Sequence, residues 1–139
     1  MKKIFLDTNV LLDVIEERPG LAEAQKIINY ASGDCFTRLY VSTLTIANAA
    51  YVIRRRSLPE IKQCLIECME FCNVLPMNDM QMFEAVRSGN SPDFEDNLQI
   101  MCAEYGGCDL IVTNNVSHFR PHTDIPVLSP EEFVSHCQL

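Results

Sequence analysis

Short apolar runs alternate with longer stretches of helical spacing along this chain. Lys3-Ile4-Phe5-Leu6 is a brief apolar run, as a buried strand requires. Val10, Leu11, Val14 and Ile15 follow helical spacing until Arg18-Pro19-Gly20 breaks it. Leu21, Ala24, Ile27, Ile28 and Ala31 predict a second helix, ended by Gly33. Phe36 to Val41 predicts a strand, and Ser42 or Thr43 can cap a helix from Leu44 to about Arg56. Ser57-Leu58-Pro59-Glu60 is a capping box, opening a helix that runs to about Phe71. Asn73 to Met77 predicts a strand and Asp79 to Ser88 a helix. Phe94, Leu98, Met101, Cys102 and Tyr105 form a helical stripe, closed by Gly106-Gly107. Leu110 to Thr113 and Ile125 to Leu128 predict the last strands. Ser129-Pro130-Glu131-Glu132 is a second capping box with proline in the first turn.

Short strands alternating with longer helices imply βαβ units and a parallel sheet covered on both faces, an α/β class. Ligands in such sheets sit beyond the carboxyl ends of the strands. The chemistry is therefore expected after Leu6, after Val41 and after Val112. The chain has 139 residues, which suits a single domain over 1–139. With 47% hydrophobic and 22% charged residues, it has the composition of a folded domain and not a disordered one.

The formal charge is −8, which argues against a basic coat that binds nucleic acid unspecifically. The charge is unevenly placed. Residues 1–56 carry 8 basic and 6 acidic side chains, whereas residues 57–139 carry 3 and 13. Seven cysteines without a pairing pattern suggest free thiols in a reducing, cytoplasmic setting. Cys64, Cys68 and Cys72, spaced by four, read as core packing in preference to a metal face. Asp7 interrupts the short apolar opening, so no signal peptide is expected, and no apolar run approaches the roughly 18 residues of a membrane span.

Asp7 directly follows the first strand. Alone it would be a helix cap. Asp93-Phe94-Glu95-Asp96 adds three carboxylates at the start of a helix, with Asp93 and Asp96 three apart on one face and Glu95 directed elsewhere. That is more acid than capping needs. Clustered carboxylates call for a cation. Mg²⁺ or Mn²⁺ binds through one or two carboxylates, waters and substrate phosphate, and such an ion can activate water for phosphoryl chemistry.

These residues carry a family resemblance. Ile4-Phe5-Leu6-Asp7-Thr8-Asn9-Val10-Leu11-Leu12-Asp13 resembles the opening of the PIN-domain nucleases, which include the VapC-type toxins. Val41 to Thr45 through Tyr51-Val52-Ile53, Asp93 to Gln99, Ile111 to Asn115 and Pro126 to Phe133 are similar to the later blocks of that family, in order. The resemblance implies a parallel, five-stranded, three-layer α/β/α sandwich. It also implies a Mg²⁺- or Mn²⁺-dependent ribonuclease acting on RNA, a homodimer, and an antitoxin protein as partner. Asp7 matches the first acid of the family and Asp96 the acid of the late helix, with Asp93 an additional acid beside it.

Two positions depart from the family. Asn48 stands where a glutamate is usual, and Asn114-Asn115 where the last acid follows the fourth strand. This amide pattern is similar to a branch of the family containing Asp-Phe-Glu-Asp. Asp7, Asp96, Asp93 and Asn115 are thus the expected metal ligands, with Asn9, Asn48 and Thr113 supporting. Arg54-Arg55-Arg56 either complements the end of its helix or contacts RNA phosphate. His118 and His122, in an expected loop, are candidate proton donors. The alternative is a weak or inactive PIN domain that binds RNA or protein. A phosphohydrolase with Asp7 as nucleophile would want a second aspartate where Asn9 stands.

Overall fold

The computed structural model describes residues 1–139. Five strands form one sheet: β1 (Lys2–Leu6), β2 (Thr37–Ser42), β3 (Cys72–Leu75), β4 (Leu110–Val112) and β5 (Val127–Leu128). Their order is β3-β2-β1-β4-β5, and all neighbours run parallel. Lys2 pairs with Thr37 on one side of β1, and Ile4 pairs with Leu110 on the other.

Strand side chains alternate between two helical layers, as a two-residue period dictates. Ile4 and Leu6 of β1 and Leu110 and Val112 of β4 face one core, which α1 (Thr8–Ile15), α2 (Leu21–Gly33) and α8 (Pro130–His136) cover with Val10, Ile27 and Phe133. Phe5 and Ile111 face the other. There α6 (Phe94–Tyr105) and the short α7 (Val116–Phe119) bring Ile100, Ala103 and Phe119. The three-layer parallel sandwich expected from the sequence is the fold observed. The remaining helices are α3 (Thr43–Val52), α4 (Leu58–Phe71) and α5 (Asp79–Ser88), followed by a 3₁₀ turn at Arg120–His122 beyond α7.

Caps set the helix starts. Ser42 accepts from the Thr45 amide, and Ser57, Asn78 and Ser129 each open a helix with a capping box. Prolines set strand ends, because they cannot donate to a ladder. β3 stops at Leu75, before Pro76, two residues short of the expected Met77. β5 starts at Val127, after Pro126, and not at Ile125.

Three expectations are corrected. Helix α3 ends at Val52, so Arg54, Arg55 and Arg56 do not close it. They lie in the turn beyond, where the Arg54 amide donates to Tyr51 O and the Arg56 amide to Ile53 O. His118 sits in α7 and not in a loop, and His122 ends the 3₁₀ turn. The stripe on α6 is also displaced. Phe94 is 51% exposed and Tyr105 46%, while Asp96, Asn97, Gln99, Ile100 and Ala103 are buried. Leu98 and Cys102 of the stripe are buried as expected, but its two ends are not, and polar Asp96, Asn97 and Gln99 share the buried face. Cys68 and Cys72 are buried thiols, as core packing required, whereas Cys64 is only half-buried. No helix is long and apolar enough to cross a membrane.

Candidate active site

The strand order reverses direction between β1 and β4. Chain connections leave this point on opposite sides, opening a crevice at the carboxyl ends. Asp7 follows β1 there, and Thr113 follows β4. Thr113 Oγ1 donates to Asp7 Oδ2 at 2.8 Å, and the Thr8 amide donates to Asp7 Oδ1 at 2.8 Å. The second contact makes Asp7 the cap of α1 as well. Its conformation is thus fixed from two elements.

Beneath Asp7 lies a buried polar network that sequence reasoning did not single out. Gln99 of α6 is fully buried. Its Nε2 lies 3.2 Å from Asp7 Oδ1 and 2.9 Å from the hydroxyls of Thr8 and Thr45. Ser42 Oγ donates to Gln99 Oε1. One glutamine therefore ties together the starts of α1 and α3 and the middle of α6. The available signal was spacing: Gln99 is three residues after Asp96, on the same helical face.

Asp93 is the N-cap of α6. Its Oδ1 accepts from the amides of Glu95 at 2.9 Å and Asp96 at 3.2 Å. That cap turns Asp96 inward, where it is only 7% exposed. His118 Nδ1 stands 3.4 Å from Asp96 Oδ2, yet that oxygen is buried without a hydrogen-bond partner. The carboxyl of Asp96 is pushed up to about 6, chiefly by burial, then by the charges of Asp93 and Asp7, against an opposing pull from His118. Burial also raises Asp7, against the hydrogen bonds from Thr113, Gln99 and Thr8.

Glu95 does not point elsewhere, as the helical spacing suggested. Asn48 Nδ2 of α3 donates to Glu95 Oε1 at 2.7 Å. Its carboxyl is raised too, by desolvation first and then by Asp7 and Asp93. Four acids thus influence one another around the crevice.

The other expected residues are placed less directly. The Asn115 amide donates to Thr113 Oγ1 at 3.0 Å, while its half-buried side chain makes no hydrogen bond within the chain. Asn9 is likewise half-buried and unbonded through its side chain. Asn114 is turned away to buried Asp13, donating to its Oδ2 at 2.9 Å. Arg54 stacks on the Tyr51 ring at 4.1 Å, and Arg56 reaches Ile15 O and Glu16. Arg55 is exposed and forms no ion pair.

No three histidine, cysteine, aspartate or glutamate side chains are grouped so as to hold a metal ion by themselves. A small hard cation does not require three, because it keeps several waters and shares its ligands with substrate phosphate. The orphaned Asp96 oxygen, in the negative field of Asp7, Asp93 and Glu95, suits such a cation.

The model of a family described as PIN domain matches residues 3–117. The chain is 29% identical over 140 residues to "Ribonuclease VapC1" of Aquifex aeolicus (strain VF5), covering 95% of this chain and 93% of that one. Among solved structures it is similar to the complex VapBC2 from Rickettsia felis bound to a DNA fragment of its promoter. The TM-score is 0.71 at 14% identity, over 91% of this chain and 98% of that one. VapBC-1 from nontypeable Haemophilus influenzae follows with a TM-score of 0.69 at 20% identity, over 93% and 98%. At such identities the structural likeness establishes the fold.

Proposed function

The chain belongs to the PIN-domain family, and from that premise we propose that it is a Mg²⁺- or Mn²⁺-dependent endoribonuclease, the toxin half of a toxin–antitoxin pair. The observation that carries the reading is the buried Asp96 Oδ2 at the crevice, which accepts no hydrogen bond and has only His118 Nδ1, at 3.4 Å, beside it. The ribonuclease name of the Aquifex relative and the VapBC complexes among the structural neighbours support it. They also favour an antitoxin partner. A homodimer and a cytoplasmic setting complete the proposal.

Asp7 and Asp96 would hold the ion, with Asp93 adding charge and the Asn115 carbonyl a neutral oxygen. Bound there, it would activate a water and offset charge on the scissile phosphate. The residues of the chain do the rest. Thr113, Gln99 and the Thr8 amide fix the Asp7 carboxylate in place and favour its ionised form against the opposing effect of burial. Asn9 and Asn48 orient groups at the rim. His118, 58% exposed beside Asp96, would give a proton to the departing oxygen. Arg54, Arg55 and Arg56 supply phosphate contacts, and the free guanidinium of Arg55 is the foremost of them.

The test is cleavage of RNA with and without Mg²⁺ or Mn²⁺. Asp7→Asn is expected to lose activity by on the order of 10²–10³. Full activity of that variant, or activity in a chelator, would sink the reading. A second reading draws on Asn48, Asn115 and the lack of a ready three-acid cluster: a PIN domain that binds RNA or protein and cuts slowly or not at all. RNA binding without cleavage at any Mn²⁺ concentration would favour it.

A further inference from the structure

Helix α3 leaves the crevice carrying an aromatic ring that neither core uses. Asn48 Nδ2 donates to Glu95 Oε1 at 2.7 Å, which holds this part of α3 against the first turn of α6. The Glu95 carboxyl feels the charges of Asp7 and Asp93, so this contact lies at the rim of the crevice. Tyr51 is three residues further along α3, on the same side of the helix and about 4.5 Å along its axis. It is 65% exposed. The Arg54 guanidinium lies over the ring, 4.1 Å from its centroid, and Arg54 Nη1 donates to Tyr51 O at 2.9 Å. A fixed cation thus covers one face of the ring, and the other is left to solvent. Arg55 follows, exposed and without an ion pair, in the one run of three basic residues in the chain.

Resting on the ribonuclease reading above, we propose that Tyr51 is a stacking platform for one unpaired base of the RNA, with Arg54 behind the ring and Arg55 on an adjoining phosphate. Every base has a π face that an aromatic ring can meet, whatever the sequence, and a guanidinium on the far side of the ring strengthens the stack. In a duplex that face is covered by the neighbouring base pairs, so the ligand is a single strand. The ring stands one helical turn outside the carboxylates. It can therefore grip a base next to the scissile phosphate without taking the place of that phosphate. Charge also favours a polyanion here. The arginines are a local excess of positive charge in a chain of net charge −8. An apolar protein face laid on Tyr51 would instead bury Arg54 and Arg55 without counter-charges.

The chain has four tyrosines and no tryptophan, so its tyrosine emission reports on this ring. The test is a fluorescence titration of the full chain, carrying Asp7→Asn to leave RNA uncut, in Mg²⁺. The probes are a single-stranded oligouridine and an RNA duplex of equal length. Oligouridine is expected to quench part of the emission and to bind more tightly than the duplex. Adding Tyr51→Leu is expected to weaken oligouridine binding about tenfold and to leave duplex binding unchanged. Adding Tyr51→Phe keeps the affinity and loses most of the quenching, a signature that a merely structural role would not give. Both changes are at an exposed side chain, so thermal melts are expected to match the parent. Unchanged oligouridine affinity in Tyr51→Leu, or undiminished quenching in Tyr51→Phe, overturns the proposal. So does a shift from dimer to monomer in Tyr51→Leu by light scattering, which makes the ring part of an interface between copies. In those cases metal-dependent RNA cleavage by the unaltered chain keeps the ribonuclease reading standing. An unaltered chain that neither cleaves nor binds RNA overturns both.

Discussion

Asp7 and Asp96 meet burial in different ways. Asp7 is surrounded by donors from Thr113, Thr8 and Gln99, which oppose the upward push of its burial without cancelling it. Asp96 Oδ2 has none, and its carboxyl rises to about 6. An unfolded aspartate titrates near 3.9, so the folded chain holds this proton more tightly than the unfolded chain. The sign follows: without a divalent ion, the Asp96 contribution to stability is present below about pH 4 and is lost as pH rises through about 6. Thermal melts in chelator are expected to show the chain losing several degrees between pH 5 and 7.5 by this route, a loss that Asp96→Asn lacks. Equal slopes for both proteins would refute it. Asp7 and Asp96 stand out in the sequence because three carboxylates within four residues at one helix start exceed what a cap uses. Gln99 does not, because a glutamine carries no charge and only the packed structure shows how many partners it serves.

Helix α6 shows where periodicity misleads. Its stripe of apolar residues predicted a buried face through Phe94 and Tyr105, but both are exposed, and the helix is turned so that Asp96 and Gln99 face the sheet. A face that is polar and buried together is a combination that hydrophobic patterning cannot signal. Strands and caps were legible for the opposite reason: Ile4 to Leu6, the capping boxes at Ser57 and Ser129, and Gly106 are local signals that tertiary contacts did not override. The arginine turn failed because the C-terminus of α3 has no glycine or proline to mark it. Asp93 acts at this scale too, since its Oδ1 caps α6. Replacement by alanine is expected to cost about 1 kcal/mol in urea unfolding, whereas serine, which also caps, costs little. If Asp93→Ser were as destabilised as Asp93→Ala, charge and not capping would be the role of this residue in folding.

Across the whole molecule, the acidic balance and the buried thiols have separate origins. The carboxylates of the crevice come from both ends of the chain, Asp7 from the weakly basic first part and Asp93, Glu95 and Asp96 from the acidic remainder. The charge of −8 therefore excludes a basic coat and leaves room for RNA held through a cation. Burial pushes Cys68, Cys72 and Cys102 up to about 12 and Cys108 to about 11, while Cys35 is exposed. With a thiol reagent at pH 8, Cys35 is expected to react at once and these four only after unfolding. Rapid native labelling of Cys68 or Cys102 would contradict the packing. The strand order also bears on time. β1 is synthesised first, yet its neighbour β4 comes far later, and Asp7 and Thr113 are 106 residues apart. At on the order of 5–20 residues per second, a ribosome delivers the second about 5–20 s after the first. For most of its synthesis the nascent chain holds Asp7 without the strand and helix that complete the crevice. A crevice assembled this way stays incomplete until the late strand has been made.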